Sequence, residues 1–225
     1  MVAKRTGVLT SVGLIWLVGC GGAEFGEGIA LTADRQVAIK PDGLAAGVDL
    51  PAARGFNVAE ARSGQTNAAS GAAQADPNGR ASASAKAEQG GDAWAEFQLG
   101  QCYVHRSDQA APVEITCKLG FDASASATRP SGTQTAGTVA LKLFVKGPGG
   151  AILERRAVLQ ESCDEGTYDR ATSQTSFRLN VEFQPQAVYY LIVAGRVAAA
   201  SQPDTQAEAT LSVKELNLSL KAAAK

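Results

Sequence analysis

From Trp94 onward the chain alternates apolar and polar residues with a period of two. This pattern is typical of half-buried β-strands, because successive side chains of a strand point to opposite faces. It is clearest in four stretches, residues 95–99, 113–121, 139–145 and 177–183. No stretch after Trp94 combines a sustained helical period with helix caps. The sequence therefore predicts an all-β domain.

The connections between these stretches indicate how the strands are arranged. Residues 147–150, Gly-Pro-Gly-Gly, separate two extended runs and predict a hairpin turn. Residues 188–193 are apolar at both even- and odd-numbered positions, which is typical of a central strand that is covered on both faces. The apolar parity flips at Lys214-Glu215, which predicts a β-bulge. We expect an antiparallel β-sandwich of about seven or eight strands, with a jelly-roll variant possible and a closed β-barrel as the alternative.

Residues 59–92 contain no Val, Ile, Leu, Met, Phe or Tyr, and consist mostly of Ala, Gly, Ser, Gln and Asn. Such a segment buries too little apolar area to offset the entropy of ordering its backbone. We therefore interpret residues 59–92 as a flexible linker and residues 93–225 as the β-sandwich domain. Residues 20–58 are expected to be mostly irregular. Within them, residues 29–32 and residues 36–40 are two candidate extended pieces that either dock as an edge strand or stay loose, and the loose form is favoured.

The first twenty residues have the organisation of an export signal. Lys4 and Arg5 precede an uncharged apolar run over residues 7–18, which is shorter than the roughly 20 apolar residues of a membrane-spanning helix. The run ends in Leu17-Val18-Gly19-Cys20, which resembles the lipobox of bacterial lipoproteins.

That resemblance implies that the Cys20 thiol carries a diacylglycerol, that residues 1–19 are removed, and that the new amino terminus receives a further acyl chain such as palmitate. Two or more acyl chains hold a protein firmly at a bilayer. The expected location is the bacterial cell envelope. Gly21 stands where an aspartate acts as an inner-membrane retention signal in some bacteria, which favours the outer membrane.

Export changes the interpretation of the other cysteines, because disulfides form in oxidising compartments. With Cys20 modified, Cys102, Cys117 and Cys163 remain. If the first two strands pair as a hairpin, Cys102 stands opposite Cys117 at a separation that suits a disulfide. Cys163 is the alternative partner. We expect one disulfide and one free thiol.

The remaining candidates for chemistry are weak. His105 is the single histidine, so it cannot complete a zinc site with nearby thiols, and we expect it in a solvated loop. Asp164, Glu165 and Asp169 form the densest acidic cluster and are weak calcium candidates, although their spacing matches no EF-hand loop. No metal site and no cofactor are expected. Five aromatic residues are candidates for stacking on a sugar: Trp94, Tyr103, Tyr168, Tyr189 and Tyr190.

Among these aromatic residues, Tyr189 and Tyr190 must point to opposite faces of one strand, and Trp94 is expected to cover the end of the core. The net charge of −1 gives no electrostatic argument for a nucleic-acid partner. No nucleophile elbow and no phosphate-binding glycine loop is present. The sequence thus favours a non-catalytic, lipid-anchored envelope protein that displays a binding domain to a protein or an envelope polymer. A subunit of an envelope secretion or transport assembly is the alternative, and an envelope-polymer hydrolase comes third.

Overall fold

The computed structural model describes residues 37–39, 44, 47–50, 55–128 and 135–223, and for residues 37–39 and 170–173 it describes the backbone alone. The described chain is an all-β sandwich of two sheets, each with six strands. This confirms the predicted fold class. The two sheets do not close into a barrel within these residues, so the alternative is wrong. The proposed signal peptide and Cys20 lie outside the described residues.

Sheet 1 has β6 and β11 at its centre. Its order is β1-β6-β11-β8-β9, and β3 pairs with β6 on the same edge as β1. All neighbours are antiparallel except β1 and β6, which are parallel. The strands are β1 (Val37–Ile39), β3 (Val58–Thr66), β6 (Asp92–His105), β8 (Ala136–Lys146), β9 (Ile152–Cys163) and β11 (Ala187–Ala200).

Sheet 2 is antiparallel throughout and is centred on β7 and β12. Its order is β10-β7-β12-β5-β4, and β2 also pairs with β12. The strands are β2 (Val48–Leu50), β4 (Ala69–Asp76), β5 (Arg80–Glu88), β7 (Ala111–Thr128), β10 (Gly166–Phe183) and β12 (Gln206–Ala222).

The core lies between the two sheets and follows the alternation of the sequence. In β7 the odd-numbered residues face the interior, and Val113, Ile115 and Phe121 have no exposed surface. The predicted hairpin at residues 147–150 is confirmed, because it joins the antiparallel strands β8 and β9. The predicted bulge is confirmed by the register shift between Val213 and Glu215. The prediction of a central strand over residues 188–193 is also confirmed, since β11 lies between β6 and β8, although its second face is only partly covered because Val188 and Tyr190 are partly exposed.

Residues 59–92 are not a linker, and this prediction is wrong. They form most of β3, all of β4 and β5, and the start of β6. In β5, Ala81, Ala83, Ala85 and Ala87 face the core with at most 4% of their surface exposed. The segment folds because long neighbouring strands supply the apolar surface and the hydrogen-bonding partners that its own side chains do not: β3 pairs with β6, and β5 pairs with β12.

Small side chains suit this end of the sandwich because the two sheets approach closely there. A Cβ atom at Gly137 of sheet 1 would lie 2.5 Å from the carbonyl oxygen of Glu208 in sheet 2. Larger residues than alanine at the facing positions of β5 would force the sheets apart. The alanine content that suggested disorder is therefore a packing requirement of the fold.

The region from residue 20 to 58 contributes two short strands, so the docking alternative is correct for residues 37–39. β1 pairs with residues 103–105 of β6, and β2 pairs with residues 218–220 of β12. Leu44, Leu50 and Phe56 are buried in the core. Residues 20–36 lie outside the described residues.

Asn57 completes the edge of β6 between β1 and β3. Its side-chain oxygen accepts a hydrogen bond from the Cys102 N–H at 2.6 Å, and its amide nitrogen donates to the Cys102 carbonyl at 2.9 Å. The backbone N–H of Asn57 also donates to the side-chain oxygen of Gln101. One side-chain amide thus takes the place of a residue in the neighbouring strand.

Candidate binding face

The face of sheet 1 that points away from sheet 2 carries an unusual set of side chains, and we call it the outer face. It is formed by the even-numbered residues of β6, β8 and β11, since the odd-numbered residues of these strands enter the core. Across β3, β6 and β11, Gly64, Trp94 and Ala198 form one row. Arg62, Glu96 and Arg196 form the next row.

Trp94 lies on the outer face and not over the end of the core, so that prediction is wrong. Its indole lies flat against β3, because a Cβ atom at Gly64 would be 2.7 Å from the indole Nε1. The ring is partly exposed. The guanidinium carbons of Arg62 and Arg196 lie 5.9 and 5.6 Å from its centroid, within the range of cation–π attraction.

Glu96 supplies a buried carboxylate beside the indole. Its side chain is 4% exposed and forms an ion pair with Arg62, whose side chain is 52% exposed. A half-exposed pair contributes less to stability than a buried one because solvent screens it. Its clearer effect is to hold the Arg62 guanidinium close to the indole. We call Trp94, Arg62, Glu96 and Arg196 the Trp94 corner.

Next along β6, Gln98 is 1% exposed, and neither atom of its amide has a hydrogen-bond partner among the described residues. Buried amides without partners are rare, because leaving one unsatisfied costs about 1–3 kcal/mol. Gln98 is therefore a buried polar side chain in an otherwise apolar part of the outer face.

The middle of the outer face is apolar. Phe144, Ile192 and Ala194 have no exposed surface and form a cluster separate from the core. The guanidinium carbon of Arg155 lies 5.7 Å from the centroid of the Phe144 ring. Tyr190 lies at the margin of this cluster. Its partner Tyr189 is fully buried in the core, as expected for neighbours on one strand.

The predicted disulfide between Cys102 and Cys117 is wrong. β6 and β7 are consecutive in the chain but belong to different sheets, so they do not form a hairpin. Cys102 lies on the outer face opposite Tyr190, whereas Cys117 faces the core. Cys163, the alternative partner, lies opposite Gly137 at the end of β9. All three are free and buried.

Burial keeps two of these thiols protonated. It raises the pKa of Cys102 to about 11, although a hydrogen bond with Tyr190 acts in the opposite direction. It raises the pKa of Cys117 to about 12. Neither thiol is a candidate nucleophile, because reactive cysteines have lowered pKa values.

His105 is a core residue, and the prediction of a solvated loop is wrong. It ends β6 and is 1% exposed. Its Nε2 lies 3.1 Å from the carbonyl oxygen of Gln109, and its ring packs edge-on against Phe183 with centroids 5.8 Å apart. Tyr189 stacks on the same phenylalanine and Tyr103 packs against it at a tilt, so these two tyrosines are unavailable as a sugar platform.

The acidic cluster does not form a metal site in the described part of the chain. Asp164, Glu165 and Asp169 lie where β9 passes into β10, and no group of three or more His, Cys, Asp or Glu side chains is placed there, or elsewhere in the described residues, to bind a metal ion. Tyr168, another sugar-stacking candidate, packs against the core from β10. The helices of the described ranges include none that is long and apolar enough to cross a membrane.

Sequence reasoning identified Trp94 but missed the residues that surround it. Arg62 lay in the presumed linker, and Arg196 lies in a strand whose partners are distant in the chain. The available signal was parity: Trp94 shares its parity with Glu96 and Gln98, the polar residues of the same alternating run.

No protein-family model and no curated protein matches this chain. Among solved structures, the chain is similar to the crystal structure of the enzymatically active domain of bacteriophage CBA120 tailspike protein 4. Sequence identity is 12% and the TM-score is 0.23, over 71% of this chain and 20% of that chain. This chain thus spans a fifth of that structure, and a similarity of this size carries no argument about fold or activity.

Proposed function

We propose that this protein is a lipid-anchored component of a bacterial cell envelope, held at the outer membrane through Cys20, and that its β-sandwich is a non-catalytic binding domain. The lipobox-like Leu17-Val18-Gly19-Cys20 supports the anchor. Several acyl chains on one residue fix a protein to a bilayer without a spanning helix. The anchor keeps the outer face close to the polymers of the envelope.

We assign the binding activity to the Trp94 corner, and a polysaccharide of the envelope is the ligand that its chemistry favours. The observation that carries this assignment is the partly exposed indole lying against Gly64, with two guanidinium carbons within 6 Å of its centroid and the buried Glu96 carboxylate paired with one of them. The C–H face of a pyranose ring packs against an indole, while guanidinium and carboxylate groups bind its hydroxyls. A few polar groups placed around an aromatic surface are typical of ligand sites.

Binding is tested with the detergent-solubilised full chain and insoluble envelope polysaccharide in a co-sedimentation assay. Trp94→Ala is expected to weaken retention at least tenfold, since stacking on the indole is lost. Leu153→Ala is the matched control, because Leu153 is a 42% exposed apolar residue on the edge strand β9. Retention that is equal for wild type and Trp94→Ala contradicts the assigned corner.

The anchor is tested separately by mass spectrometry of the protein isolated from membranes of an expressing bacterium. We expect a mature form that begins at an acylated Cys20. Cys20→Ser is expected to retain residues 1–19 and to carry no acyl chain. A wild-type protein with an intact leader contradicts the anchor and leaves the binding assay unaffected.

A further inference from the structure

Arg196 carries a positive charge that no described residue pairs with. It lies directly opposite Glu96 in the register of β6 and β11, yet the Glu96 carboxylate forms its ion pair with Arg62. The amide of Gln98, which lies diagonally opposite Arg196, has no hydrogen-bond partner among the described residues either. The guanidinium carbon of Arg196 lies 5.6 Å from the centroid of the Trp94 ring, and a contact of this kind gives its five N–H donors no oxygen acceptor.

The charges of the Trp94 corner leave an excess of one positive charge. Arg62 and Arg196 contribute two guanidinium groups, and Glu96 contributes one carboxylate. Glu60 lies on the same face of β3, but β6 separates β3 from β11, so its backbone is two strand spacings, about 10 Å, from that of Arg196. Salt screens exposed charges over that distance. An anion beside Trp94 therefore has a positive charge to pair with.

The side chains around Arg196 are short enough to leave its guanidinium accessible to a ligand. Ala194 and Ala198 are its neighbours on the same face of β11, and Ala140 is its partner on β8. Each ends in a methyl group that offers the guanidinium no acceptor. Arg196 itself is partly exposed, as is the indole beside it. A sugar ring that stacks on Trp94 can therefore reach Arg196 with a substituent.

We propose that the Trp94 corner binds a sugar unit that carries a carboxylate, such as a uronic acid, and that Arg196 pairs with this carboxylate. This inference rests on the proposed function, because it takes stacking of a sugar on Trp94 as given and adds the chemical class of the sugar. A guanidinium presents two parallel N–H groups that match the two oxygens of a carboxylate. A neutral hexose has no charge to match, so the corner distinguishes the two sugars electrostatically.

The test compares two immobilised polymers that differ at the carboxyl group alone. Polygalacturonate carries a carboxylate on every sugar unit, whereas in its full methyl ester these groups are uncharged. Both are linked to beads at the same density, and retention of the detergent-solubilised full chain is measured by co-sedimentation. We expect the wild type to bind polygalacturonate at least about tenfold more tightly than the ester, because hydrogen bonds between charged groups are lost on the ester. Most of this preference is expected to disappear in about 0.5 M NaCl.

Three arginine variants assign the preference. Arg196→Gln removes the charge, and we expect it to bind the two polymers within about twofold of each other while its retention on the ester stays within about twofold of the wild type. Arg196→Lys keeps the charge without the paired N–H groups, so an intermediate preference is expected. Arg178→Gln is the matched control, because Arg178 is an exposed arginine on β10 of sheet 2 and the net charge of the chain changes by the same amount. This control is expected to keep the full preference for the acid.

Three results would overturn the proposal. The first is an Arg196→Gln protein that keeps the wild-type preference, or that loses both polymers equally, since either shows that this arginine does not select the acid. The second is loss of the preference in Arg178→Gln, which assigns it to the net charge of the protein. The third is a wild type that binds both polymers equally and loses both in Trp94→Ala, which supports the sugar site and refutes the preference for a carboxylate. A wild type that binds neither polymer contradicts the sugar site as well.

Discussion

Replacing Ala85 with aspartate tests whether residues 59–92 belong to the sandwich. Ala85 is 1% exposed in β5, where it pairs with Ala209 of β12 and Gly71 of β4. A carboxyl group at this position has no water and no basic partner on the core face of β5, where its neighbours are alanines. Ser84 is the matched control, because it is the preceding residue of the same strand and is exposed.

The cost follows from the protonation of the buried group. Full burial raises a carboxyl pKa by about 3–5 units from its ordinary value near 3.9. pH 7 lies about three units above that ordinary pKa, and each unit corresponds to about 1.4 kcal/mol. Keeping the carboxyl protonated in the folded protein at pH 7 therefore costs about 4 kcal/mol. Overpacking of the closely spaced sheets adds about 1–3 kcal/mol. Ser84→Asp is expected to change stability by less than about 0.5 kcal/mol.

The pH dependence separates the two contributions to the loss. The folded Ala85→Asp protein binds a proton that the unfolded chain releases above about pH 3.9, so its stability falls as pH rises through this range. Lowering the pH from 7 to 4 is expected to remove most of the electrostatic part and to leave the packing part. Urea unfolding of the full chain, followed by circular dichroism, measures both. Equal stability of the Ala85→Asp and Ser84→Asp proteins at pH 7 would refute the buried strand and restore a solvated linker.

Three further outcomes are expected. Asn57→Ala leaves the N–H and carbonyl of Cys102 without their partners, so we expect a loss of about 2–4 kcal/mol in urea unfolding and faster hydrogen exchange at that amide. Cys117 has a pKa of about 12 in the folded protein against an ordinary 9.0, so the thiol ionises first in the unfolded chain. Between pH 9 and 11 the free energy of unfolding of the wild type is therefore expected to fall by about 2–3 kcal/mol, and that of Cys117→Val by less. A Cβ atom at Gly195 would lie 2.7 Å from Leu211 Cδ2, so Gly195→Ala is expected to lower the melting temperature, whereas unchanged melting would contradict this close packing.

The fold class could be predicted from the sequence because alternate residues of a half-buried strand face the core and the solvent, so apolar and polar residues alternate. The same signal was present where it was missed: Ala81, Ala83, Ala85 and Ala87 alternate with polar residues just as the larger core residues do. Counting large apolar side chains assigned this segment to a linker, because the count ignores the surface that neighbouring strands contribute. Where two sheets approach closely, the two-residue alternation of small and polar side chains thus predicts a strand better than the number of large apolar residues does.

Contacts between strands that are distant in the chain could not be predicted from one sequence. Pairing Cys102 with Cys117 assumed that consecutive strands form a hairpin, whereas the chain crosses from sheet 1 to sheet 2 between β6 and β7. The burial of His105 depends on Phe183, which β10 brings from the opposite sheet. The Trp94 corner likewise joins β3, β6 and β11, and no local pattern records that they are neighbours.

The folding of residues 59–92 changes how an anchor at Cys20 holds the protein. A free linker of that length would hold the body tens of ångströms from the lipid. With those residues in the sheets, only residues 21–36 separate Cys20 from β1, and as a coil these sixteen residues span about 20–24 Å. The proposed anchor would therefore hold β1, at the edge of sheet 1, at about this distance from the bilayer, much closer than a free linker would.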